Sequence, residues 1–300
     1  MKSSHIFTES KQELTPCIVS DDWKVISEEG TVLNFGPMTD IFVQYIFKDS
    51  DTTQTFVLMS NIFITFLNKR NKNFELPKIM GEVKLETQWD YIMEKGKKKR
   101  TQDFRLQSFS PLVDYYIEIQ QDTHTKPKLE LRAQDYFTFG IHQNKDARCS
   151  HQIWLLGEGY PLLLKDRMTT TYILKEQELD LIMPYSSSIS FINLQEVVKY
   201  EKDIAYLAKY LLTGEVATEH PVIRGIIDVF EHKREVFKND KEAIHVFQSW
   251  KDKKLADAEA RGEARGEAKA MYKWANKSIE EISKFLNIPL EQIQEWSKAW

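Results

Sequence analysis

Between Val113 and Gln120 apolar and polar positions alternate. Val113, Tyr115, Ile117 and Ile119 fall on one side, Asp114, Tyr116, Glu118 and Gln120 on the other. Period-two alternation in β-branched and aromatic residues predicts a half-buried strand. Phe109-Ser110-Pro111, just upstream, carries turn chemistry, so residues 103–108 are predicted as the first strand of a hairpin. Residues 151–156, 170–174 and 190–194 read as further strands, and 82–93 as a looser one. Helical spacing is seen in Phe42, Tyr45 and Ile46, which follow Thr39 or Asp40 as a cap. It recurs in Phe56, Met59, Ile62, Phe63 and Phe66 of residues 54–68, and a further helix is predicted over 129–142. Strands interleaved with helices predict an α/β (α+β) sheet.

From Leu194 onward the pattern becomes helical, with Gly214 as a stop, Pro221 opening a helix to about Phe237, and Lys241 opening one that passes Trp250. Within the last lies a repeat, Ala260-Arg261-Gly262-Glu263 and Ala264-Arg265-Gly266-Glu267. Ser278-Ile279-Glu280-Glu281 spells a capping box, with Ile279, Ile282, Phe285 and Leu286 as one apolar face, and Pro289 suits the first turn of a final helix. The second helix of this terminal hairpin is rich in Glu and Gln, which predicts packing or partner binding rather than reading of a DNA groove. The expected division is therefore an N-terminal arm at 1–35, a sheet domain at 36–213 and a helical region at 214–300.

Composition narrows the function classes. Hydrophobic residues make up 42% and aromatic ones 12% of the 300, enough for a sizeable core. No apolar run approaches a membrane span, and Met1 to Pro16 lacks the apolar core of a signal peptide. Cys17 and Cys149 are too few and too far apart for a zinc site or a disulfide framework. A cytoplasmic protein with no membrane partner is expected. No H-E-x-x-H, glycine-rich phosphate loop or G-x-S-x-G elbow occurs, so zinc-hydrolase, nucleotide-binding and serine-hydrolase readings lack support. The net charge of −4 argues against a protein that coats DNA indiscriminately.

The candidate chemistry sits on the hairpin. It brings Asp103 toward Glu118, and two carboxylates at close range favour a hard divalent cation between them. The same spacing also suits a surface hairpin with solvated acids. Lys97, Lys98, Lys99 and Arg100 belong to a basic run just before Asp103 that could hold phosphates or form a solvated loop.

An acid, about fifteen residues, then Glu-x-Gln within Tyr115-Tyr116-Ile117-Glu118-Ile119-Gln120 resembles the active-site core of the PD-(D/E)XK nuclease superfamily. It is more narrowly similar to the Rpn family of recombination-promoting nucleases and putative transposases, in which Gln often replaces the motif's Lys. Asp40-x-Phe42 through Phe47 resembles that family's opening helix, with Gln44 departing from the usual Lys nearby. Thr65-Phe66-Leu67-Asn68 resembles its "fLN" signature, Arg132-x-x-x-Tyr136 its "R-x-x-x-Y" helix, and the Ala-Arg-Gly-Glu repeat is also common near the end of such chains. The resemblance implies a restriction-endonuclease-like core sheet flanked by helices, with a helical C-terminal extension. It implies a Mg²⁺- or Mn²⁺-dependent DNA endonuclease linked to recombination or mobile elements. Asp103, Glu118 and the Ile119 carbonyl would be metal ligands, with Asp40 as a further candidate. Gln120 would complete the catalytic set, and Lys97, Lys98, Lys99, Arg100 and Arg132 would contact DNA. The rival expectation is a catalytically inactive nuclease-like protein that acts by binding a partner or by homodimerising through its C-terminal helices.

Overall fold

The predicted hairpin lies in the middle of a six-stranded sheet. In this computed structural model the described residues are 21–72, 74–88, 103–122, 129, 132–134, 149–158, 167–173, 187–200, 202–218, 220–298 and 300. A small antiparallel ribbon, β1 (Lys24–Ile26) and β2 (Val32–Asn34), precedes helices α1 (Asp40–Ile46) and α2 (Thr53–Arg70). Six strands follow: β3 (Met80–Thr87), β4 (Phe104–Ser110), β5 (Leu112–Asp122), β6 (Cys149–Glu158), β7 (Thr169–Ile173) and β8 (Ser188–Asn193). Their order in the sheet is β3-β4-β5-β6-β8-β7. The β3, β4 and β5 strands are antiparallel, β5, β6 and β8 run parallel, and β7 returns antiparallel on the far edge. The expected α/β (α+β) class is thus met by one six-stranded mixed sheet. Helices α3 (Leu194–Tyr200), α4 (Lys202–Thr213), α5 (Pro221–Asn239) and α6 (Lys241–Lys273) follow, then α7 (Ile279–Leu286) and α8 (Leu290–Ser297).

The pleat sorts the hairpin into two faces, because register partners share a side of the sheet. Phe104 pairs with Ile117 and Leu106 with Tyr115, and this face packs Phe104 against Phe47 and Phe56 at ring distances of 5.9 and 4.9 Å. Arg105 pairs with Tyr116 and Gln107 with Asp114 on the other face. That second face is not solvated, as a half-buried strand would require: Asp114, Tyr116, Glu118 and Gln120 are all buried. The reason is position. The β5 strand has neighbours on both edges, and the helical residues Leu129 and Ala133 pack over its far face with Trp154, Leu156, Ile189 and Phe191.

Contacts divide the chain into two compact units, Met1–Ala243 and Ile244–Trp300. Two expectations move with that division. Residues 21–35 are no arm: Trp23 is fully buried, with ring contacts to Phe35, Phe42 and Tyr210. The α5 helix belongs to the first unit, since Phe237 meets Phe35, Phe42 and Tyr45, and Phe230 meets Phe47 and Tyr210. Gly214 ends α4 at φ +73°, and a Cβ there would lie 2.1 Å from Trp23 Nε1, so glycine is demanded twice over.

The second unit has its own small core of Ala268, Ile282 and Ile293, with Met271, Ile279, Leu286, Ile288, Trp296 and Trp300 around it. The capping box forms as expected: Ser278 Oγ accepts from Glu281 N–H at 3.2 Å, and Glu281 Oε2 accepts from Ser278 N–H at 2.9 Å. Phe285 is 69% exposed and does not share the face of Ile279, Ile282 and Leu286. It sits roughly 100° round the helix from the centre of that stripe, at 100° per residue. Pro289 stands just before α8 as its cap. Among the described residues no helix is long and apolar enough to cross a membrane.

Candidate metal centre

Three elements assemble the site. The hairpin register that pairs Phe104 with Ile117 continues to Asp103 beside Glu118. Both carboxylates are buried, at 2% and 1% exposure. Each reaches across to the other strand: Glu118 Oε1 accepts the Asp103 N–H at 2.7 Å, and Asp103 Oδ2 accepts the Ile119 N–H at 3.1 Å. Charge-assisted bonds of this kind offset part of the cost of burying a carboxylate.

The β5 strand continues to Gln120, two residues on and therefore on the same face as Glu118. Its Nε2 donates to the Ile119 carbonyl at 3.1 Å and lies 3.5 Å from Glu118 Oε2. Arg132, from the helical segment after β5, donates to Glu118 Oε2 at 3.0 Å and to Gln120 Oε1 at 3.2 Å. Its guanidinium lies 5.1 Å from the centre of the Trp154 ring, whose Nε1 is anchored on Gln152 Oε1 at 3.1 Å. The register partner of Glu118 on β6 is Trp154, so sheet geometry sets this stacking.

Gln44 is the contribution that sequence reasoning did not assign. Buried on α1, it donates from Nε2 to the Asp103 carbonyl at 3.0 Å and accepts the Gln88 N–H at Oε1 at 2.8 Å. It thereby ties the end of β3 to the start of β4 and fixes the backbone of Asp103. A glutamine flanked by Phe42, Val43, Tyr45 and Ile46 in a buried helix was the available signal, since a buried amide needs partners.

The other expected residues divide into two groups. Asp40 opens α1 one turn before Gln44, yet among the described residues no group of three or more Asp, Glu, His or Cys side chains could hold an ion, so it does not join Asp103 and Glu118. Lys97, Lys98, Lys99 and Arg100 lie outside the described residues, as does Tyr136. Further along the same face Asp114, wholly buried, binds Arg105 at 2.6 Å, and Arg105 also approaches Glu86 at 3.6 Å.

Two buried carboxylates and the adjoining Ile119 carbonyl form an all-oxygen donor set of the kind that suits Mg²⁺ or Mn²⁺. By donor chemistry Asp103 and Glu118 would be the anionic ligands of such an ion, a pair of carboxylates rather than a group of three among the described residues. No family model matches the chain, and no curated protein or solved structure matches it.

Proposed function

We propose that this chain is a divalent-metal-dependent DNA endonuclease with a PD-(D/E)XK-type core, similar to the Rpn family and acting in recombination or on mobile elements. One observation carries the reading. Asp103 and Glu118, 118 − 103 = 15 residues apart, converge as buried neighbours at one end of a hairpin, with Gln120 next on the same face. Structural acids are rarely buried so close together without a reason beyond stability, because each ion loses hydration on burial.

In this reading Asp103, Glu118 and the Ile119 carbonyl would hold Mg²⁺ or Mn²⁺, which would supply Lewis-acid stabilisation of a phosphate. The chain's own residues do the positioning. Gln44 and the reciprocal backbone bonds hold Asp103 against Glu118. Gln120, which cannot carry the charge of the motif's usual lysine, orients a water or phosphate oxygen by hydrogen bonding. Arg132, bonded to Gln120, brings a positive charge to the same corner.

The test is plasmid nicking with Mg²⁺ or Mn²⁺ against EDTA. Asp103→Asn and Glu118→Gln keep the side-chain shape and remove the charge, and each, where circular dichroism shows it folded, is expected to lose metal-dependent nicking. Asp114→Asn, assayed at a temperature where circular dichroism shows it folded, is expected to nick like the parent. Full nicking by Asp103→Asn would overturn the reading.

A further inference from the structure

The bonds on Glu118 raise a question about entry. Oε1 carries the Asp103 N–H at 2.7 Å, and Oε2 carries Arg132 at 3.0 Å with the Gln120 amide at 3.5 Å. Both oxygens that would ligate a cation therefore already hold donors. An arriving ion must share an oxygen with one of these donors or displace it, and the donor it repels is the cationic one. The Asp103 N–H belongs to backbone, and its own residue is clamped through the carbonyl by Gln44 at 3.0 Å. Moving it would break the start of β4. Arg132 is a side chain, 21% exposed and on a helix, with a second resting place in the indole of Trp154 at 5.1 Å. Guanidinium groups stack on aromatic faces, and Trp is the best of these.

We infer that Arg132 and a divalent cation are alternative partners of Glu118, so that Arg132 is the resident counter-ion of the site and gives up Glu118 Oε2 when the metal binds. This rests on the metal-dependent reading above and deepens it. Two cations on one carboxylate repel, and in a buried site the repulsion is poorly screened. Arg132 keeps the carboxylate pair ordered before the ion arrives and lowers the site's affinity for that ion. Once released from Glu118 it remains beside Gln120 and Trp154, at the edge of the site where a phosphate would approach. No bond is made or broken beyond ion pairing.

Isothermal titration of the full chain with Mn²⁺, without DNA, separates the outcomes. Arg132→Gln removes the charge and keeps a donor. It is expected to bind Mn²⁺ at least roughly tenfold more tightly than the parent, a change of about 1.4 kcal/mol by the usual conversion. Its melting temperature without metal should fall, and the rise on adding Mn²⁺ should exceed the parent's. If Arg132→Gln is not folded by circular dichroism, Arg132→Lys replaces it. Lysine keeps the charge but lacks the fork that spans Glu118 and Gln120, and a smaller gain in affinity is expected. Binding by the variant equal to or weaker than the parent's overturns the inference and leaves the metal reading standing. No Mn²⁺ binding by either protein up to millimolar concentrations overturns both.

Discussion

The hairpin of the first unit and the long helix of the second treat charge in opposite ways. On β5 and just before β4, Asp103, Asp114, Glu118 and Gln120 are buried and each is bonded to a named group. On α6, Glu259, Glu263 and Glu267 form one exposed row, and Arg261, Arg265 and Lys269 another. Rows of like charge at i, i+4 slightly disfavour a helix, yet water and salt screen them. Burial removes that tolerance. A sheet that encloses acids must satisfy every one of them, whereas a solvated helix can carry charges in almost any arrangement. The difference implies that substitutions on the hairpin face should be costly and those on the repeat nearly neutral or stabilising.

The largest expected effect is at Asp114. Its carboxylate holds Arg105 at 2.6 and 3.2 Å, and removing it leaves Arg105 only the longer contact to Glu86 at 3.6 Å. Asp114→Ala should cost about 3–5 kcal/mol of unfolding free energy, read from urea denaturation. Replacing both partners, as in Asp114→Leu with Arg105→Met, should recover much of that loss. A single Asp114→Ala variant with the parent's urea midpoint would break the contrast between the two regions.

That prediction also marks where the sequence was and was not legible. Alternation from Val113 to Gln120 placed both faces of β5 correctly, because a period of two follows from backbone geometry alone. The turn at Ser110-Pro111 and the distance from Asp103 to Glu118 were equally local. Whether the polar face met water was not local. It depends on the helical cover over Trp154 and on β6 pairing in parallel from beyond residue 148, and neither is encoded near β5. The alternative of a surface hairpin with solvated acids therefore stayed open, whereas Asp114 is wholly buried. Gln44 failed for the same reason: its partners, Asp103 and Gln88, lie 59 and 44 residues away. The second unit was more legible, since its capping box and apolar stripe are close in sequence; only Phe285, at the margin of that stripe, was misplaced.

A smaller effect, on the opposite face of the same sheet, involves pH. His151 on β6 is 2% exposed, lies 5.4 Å from the Tyr115 ring and 6.0 Å from the Phe74 ring, and its Nδ1 bonds Ser188 Oγ at 2.9 Å. Burial pushes its pKa down to about 4 from an ordinary 6.5. The unfolded chain then binds more protons than the folded one between those values, so stability falls as pH drops through the window from 6.5 to 4. The loss is on the order of 3 kcal/mol at full extent. His151→Asn, which keeps a hydrogen bond to Ser188 and cannot titrate, should remove this part of the acid sensitivity. Identical pH dependence of unfolding in the two proteins would show that the imidazole is not confined as described.

The smallest effect tests the solvated side of the comparison. Gly262 and Gly266 stand at the same four-residue interval as Ala258 and Ala270, and a Cβ added at either glycine would meet nothing within 4 Å. The alanine row of the repeat, by contrast, reaches the terminal core, where Ala268 is buried with Ile282 and Ile293. The two small-residue rows therefore differ: one ends in packing and the other is open. Glycine inside an exposed helix costs about 1 kcal/mol relative to alanine, through the entropy of the unfolded chain. Gly262→Ala and Gly266→Ala should each stabilise α6 by up to that amount, seen as a higher melting temperature by circular dichroism with the mass from light scattering unchanged. Homodimerisation through this helix would reverse the sign. A glycine row pressed against a second copy has no space for two methyl groups, so the double variant would lose mass and melt earlier. Stabilisation at constant mass places the glycines in water, and with them the charge rows on either side.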